Sequence, residues 1–96
     1  MAQKPDDAFF DRADAHIELA NQQVAGTDNG KVSASMLYAT ARFNTWVAAS
    51  GYTTGKSMAE DREKIRDYFV GEYVKMLEDH LDDYIGNFDR YMKPRK

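Results

Sequence analysis

Ninety-six residues suit one domain with a single modest core, and an apolar fraction of 43% with 12% aromatics fits a folded chain rather than a disordered one. There is no cysteine, so a disulfide framework and a thiolate metal site are both excluded. The net charge of −3 lacks the basic excess that nucleic-acid binding draws on.

That charge is segmented. Residues 1–30 hold two basic and six acidic side chains, residues 31–56 hold three basic and no acidic ones, and residues 57–92 hold five basic and ten acidic ones. A basic tail, residues 93–96, contributes Lys93, Arg95 and Lys96. The N-terminal residues lack the apolar run of a signal peptide. The longest charge-poor stretch, residues 32–55, contains Arg42 and many Ser, Thr and Asn residues, so no membrane span is expected. These features predict neither a nucleic-acid nor a membrane partner.

The first element is a predicted helix over residues 6–25. Asp6 follows Pro5 as its N-cap, Phe9, Phe10, Ala13, Ile17, Ala20 and Val24 recur at helical spacing, and Gly26 stops it. Turn chemistry at Thr27-Asp28-Asn29-Gly30 leads to a second helix over residues 31–50. One of its faces is Val32, Met36, Ala39, Phe43 and Val47, with Trp46 at the edge. The opposite face, Ala34, Leu37, Ala41, Asn44 and Ala48, is small or apolar too. A helix apolar on two sides is expected to sit between neighbours.

The third element reads as a helix over residues 57–92, opened by a capping box at Ser57-Met58-Ala59-Glu60. At about 1.5 Å per residue it would span roughly 54 Å, against roughly 30 Å for either preceding helix. Its apolar residues drift round the wheel, from Ile65, Phe69 and Met76 to Leu81, Ile85 and Met92, so its halves should face different neighbours. Gly71 and Gly86 are its weak points, and a kink at Gly71 is the alternative to a continuous rod. The fold class is therefore all-α, a single domain over residues 1–96 built as a three-helix bundle with a long C-terminal helix.

Several motifs test for chemistry. Gly51-Tyr52-Thr53-Thr54-Gly55-Lys56-Ser57 has one residue too few between its glycines for a phosphate-binding loop and no preceding strand. It reads as a glycine loop before a serine cap, leaving a weak candidate anion site at Lys56 and Ser57. His16 and His80 lack the glutamate three residues earlier that a carboxylate-bridged metal bundle uses, since Ala13 and Leu77 stand there. His80 lies in the apolar sector, where a hydrogen-bonded boundary histidine is the simpler reading than a pH sensor. The acidic cluster Glu78, Asp79, Asp82, Asp83 and Asp89 lacks the loop and glycine turn of a calcium site. No catalytic constellation, metal site or cofactor is expected.

Three blocks carry a family resemblance: Phe10-Asp11-Arg12-Ala13-Asp14 through Asn21, Val32-Ser33-Ala34 through Asn44, and Leu81-Asp82-Asp83-Tyr84-Ile85-Gly86-Asn87-Phe88-Asp89. Together, over roughly residues 9–92, the chain resembles a family of small bacterial proteins catalogued as "domain of unknown function 3144". The resemblance implies a bacterial, cytoplasmic protein in a family with no assigned activity, and it transfers no functional residues.

The leading expectation is a non-enzymatic interaction module that self-associates, or binds a protein partner, through the C-terminal half of the third helix. Leu81, Tyr84, Ile85, Phe88 and Met92 are the candidate anchors, with Tyr91 and Asp83 at the rim. The alternative is a monomeric bundle that binds a small ligand or anion, near Lys56 and Ser57 or between the helices beside Asn44 and Trp46.

Overall fold

The computed structural model describes residues 6–93, and every regular element within them is an α-helix. In chain order these are α1 (Phe9–Val24), α2 (Asn29–Ala49), α3 (Gly55–Glu60), α4 (Arg62–Gly86) and α5 (Phe88–Met92). Contacts divide the chain into two compact units, residues 1–58 and 59–96.

In the first unit α1 and α2 pack as a helical hairpin. The first helix begins at Phe9, three residues later than expected, with Ala8 rather than Asp6 at its N-cap; Asp6 lies just before it, where its carboxylate accepts from the Ala8 amide at 3.1 Å and pairs with Arg12 at 3.1 Å. Pro5, expected to precede an Asp6 cap, lies outside the described residues. Asp28 caps α2 by accepting the Lys31 amide at 2.8 Å, so that helix starts at Asn29, two residues before the expected position. Among the described residues Val32 is the one buried side chain, at 7% exposure, and it sits just beyond this cap.

Three hydroxyls on α2 and at its C-cap are absorbed by their own helix. The hydroxyls of Ser35, Thr45 and Ser50 donate to the carbonyls of Val32, Ala41 and Val47 at 3.0, 2.8 and 2.6 Å. Back-bonding of this kind lets a serine- or threonine-bearing face carry little unsatisfied polarity. Apolar residues remain open on both sides of α2, with Leu37, Phe43, Trp46 and Val47 all exposed.

The third predicted helix is three segments rather than one. Its cap is Thr54, not Ser57: the Thr54 hydroxyl oxygen accepts the Ser57 amide at 3.0 Å, and the Ser57 hydroxyl donates to the Thr54 carbonyl at 3.0 Å. The helix therefore begins at Gly55 and places Ser57 in its first turn. Asp61, with φ −103° and ψ 11°, separates α3 from α4, although its carbonyl still accepts the Ile65 amide at 2.9 Å.

In the second unit α4 passes through Gly71 without interruption, so the kink expected there does not occur. The break falls at Asn87 instead, with φ −126° and ψ 32°. Gly86 and Asn87 are adjacent weak helix formers, and the Asn87 amide side chain competes for backbone by donating to the Asp83 carbonyl at 3.0 Å.

Candidate functional site

The residues expected to form an interface all lie at the C-terminal end of α4 and on α5, and they are exposed. Leu81, Tyr84, Phe88, Tyr91 and Met92 are open to solvent, and Ile85 is the most exposed of the large apolar side chains at 73%. Tyr84 and Ile85 follow Leu81 at spacings of three and four on α4, the interval that places side chains on one helix face.

The break at Asn87 shapes this end. Residues seven apart on a straight helix are separated by about 10 Å along the axis. Here the Tyr84 and Tyr91 rings stack at 4.3 Å between centroids. The Tyr91 hydroxyl donates to the Asp83 carboxylate at 2.7 Å and accepts from the Arg90 guanidinium at 3.2 Å. Arg90 also lies over the Tyr91 ring, 5.1 Å from its centroid. The hydrogen bond to Tyr91 raises the Arg90 pKa above its ordinary value, with the attraction of Tyr91 and Asp83 adding to it.

Asp83 is thus the hub of a local cluster. Besides Tyr91, it accepts from the Asn87 side chain at 2.9 Å. Its polarity is met by its own chain, which fits an interface rim rather than an anchor.

The ligand-binding alternative finds less geometry. The Ser57 amide and hydroxyl are both engaged by Thr54, next to Lys56. An open hollow of about 240 Å³ nearby is lined by Ala49, Tyr52, Thr53, Thr54, Gly55 and Met58 and presents no charged side chain. Asn44 and Trp46, two positions apart on α2, lie on opposite sides of the helix. Trp46 stacks loosely on Phe43 at 6.3 Å. Among the described residues no three His, Asp or Glu side chains converge to hold a metal ion, and no helix is long and apolar enough to cross a membrane.

Sequence reasoning passed over Val70 and Val74, which are exposed two turns and one turn before Leu77 on the same face of α4. Their signal was the alternation of three and four between apolar positions, a period of 3.5 that a 3.6-residue wheel displays as drift.

Comparison with known proteins agrees with this architecture. A search of curated proteins gave no match. The chain is similar to a protein from Shewanella sp. whose NMR structure is known, with 38% identity, a TM-score of 0.77, and coverage of 95% of this chain and 97% of that one. The sequence pattern of the family described as "Protein of unknown function (DUF3144)" matches residues 9–85, and the chain belongs to that family.

Proposed function

We propose that this protein is a non-enzymatic, cytoplasmic interaction module that self-associates through the C-terminal half of α4 together with α5. Leu81, Tyr84, Ile85, Phe88 and Met92 are the apolar anchors, and Asp83 and Tyr91 form the rim. The observation that carries this reading is the exposure of all five anchors within one twelve-residue stretch. Contiguous exposed apolar surface rimmed by polar groups is characteristic of association sites. The composition of the stretch supports it as well, since tyrosine, phenylalanine and methionine are enriched at interfaces.

The test is the solution mass of the full chain at micromolar concentration, by sedimentation equilibrium or light scattering. A dimer or higher oligomer is expected, and a strict monomer rules the reading out. Phe88→Asp places a carboxylate in the middle of the anchors, and its monomeric mass with retained helical circular dichroism would assign the surface.

A further inference from the structure

We propose that the chain pairs with a second copy of itself through an antiparallel seam that runs along α4 from Val70 to Tyr84 and ends at Phe88, the first residue of α5. The inference rests on the self-association reading above and gives that surface its extent and direction.

The apolar positions Val70, Val74, Leu77, Leu81, Tyr84 and Phe88 follow one another at intervals of four, three, four, three and four. On α4 this is the a/d pattern of a coiled coil, sustained over two heptads, and Phe88 follows it across the break at Asn87. All six side chains are between 42% and 53% exposed. They form a stripe distinct from the half-buried Ile65, Tyr68 and Phe69 nearer the start of α4. With Ile85 included, two copies leave roughly 1,400 Å² of this face open, within the range that stable interfaces bury.

Three features select a second copy in the antiparallel sense. The first is volume. With the two-fold axis beside Asp79, Val70 faces Phe88 of the second copy, Val74 faces Tyr84, and Leu77 faces Leu81. Every layer then pairs small with large or medium with medium, whereas a parallel pair would crowd Tyr84 and Phe88 against their own images. The second is charge. Within the seam, residues 70–78 carry Glu72, Lys75 and Glu78, while residues 80–88 carry Asp82 and Asp83 and no lysine or arginine. An antiparallel pair sets the more acidic half beside the half that holds Lys75; a parallel pair stacks the more acidic half on its own image. The third is the flank. Ile85, the most exposed large apolar residue, falls opposite Gly71 of the second copy, where added atoms meet nothing within 4 Å in the single chain. One contact opposes this arrangement: Glu78 lies near its own image beside the axis.

The natural absence of cysteine makes the test direct. Gly71→Cys and Ile85→Cys are prepared separately in the full chain, mixed, allowed to exchange, and treated with a short bis-maleimide. Both positions are open, so folding is retained and is checked by circular dichroism. The expected result is a cross-linked dimer containing one of each variant, with little product from either variant alone. Products that join Gly71→Cys to itself and Ile85→Cys to itself would indicate parallel helices and overturn the proposal. A dimeric mass without any cross-link would overturn the seam while leaving self-association standing, and a monomeric mass of the native chain would remove both. Independently, Glu78→Gln is expected to tighten the dimer about twofold by removing the like-charge contact; weakening would argue against an axis beside Asp79.

Discussion

At the scale of single residues, two side-chain caps decide where helices begin. Asp28 takes the Lys31 amide and Thr54 takes the Ser57 amide, so each satisfies a donor that its helix leaves unpaired. Asp28→Ala is expected to lower stability by about 1 kcal/mol, read from the urea midpoint at unchanged slope. Thr54→Ala is expected to cost a similar amount, about 1 kcal/mol, through the same loss. Ser57→Ala should cost less, because the Thr54 oxygen keeps the backbone amide. The sequence drew attention to Ser57 because Ser-x-x-Glu is a familiar signature. The competing reading, Thr54 three positions before Ser57, carries the same chemistry and was equally visible. What chose between them was the chain entering the helix at Gly55, which no local pattern encodes.

At the scale of elements, the existence and order of the helices were legible because apolar periodicity and turn chemistry agreed. The interruptions were harder to read. Gly71 and Gly86 looked like the weak points and Gly71 like the place for a kink, yet glycine in a helix interior loses stability without changing geometry when φ and ψ stay helical. Asn87 was the actual break because its side chain offers the backbone a second set of hydrogen bonds. Gly71→Ala should therefore stabilise the dissociated chain by about 1 kcal/mol, visible as a raised thermal midpoint at high dilution, since a new methyl group meets open space there. The candidate interface was legible in part. Leu81, Tyr84, Ile85, Phe88 and Met92 stood out by size and aromaticity, whereas Val70 and Val74 carry small side chains and were overlooked. A valine is unremarkable alone and informative only as a member of a repeat.

At the scale of the whole chain, burial is sparse: Val32 is the buried side chain among the described residues, and large apolar groups stand open in both units. The second unit spans residues 59–96, a size at which a single core seldom suffices without external support. Stability should therefore depend on protein concentration, because association adds a free energy that grows with the logarithm of concentration. Thermal midpoints measured across a hundredfold dilution are expected to fall for the native chain and to stay constant for Phe88→Asp. The position of Val32, four residues after the Asp28 cap, also has a dynamic consequence. The best-sheltered point of the hairpin lies beside its turn, where α1 and α2 join, so opening should start at the free helix ends and reach this corner last. Amide hydrogen exchange in the first unit should thus be slowest around residues 31–36 at every concentration, whereas exchange along residues 70–88 should slow as the protein is concentrated.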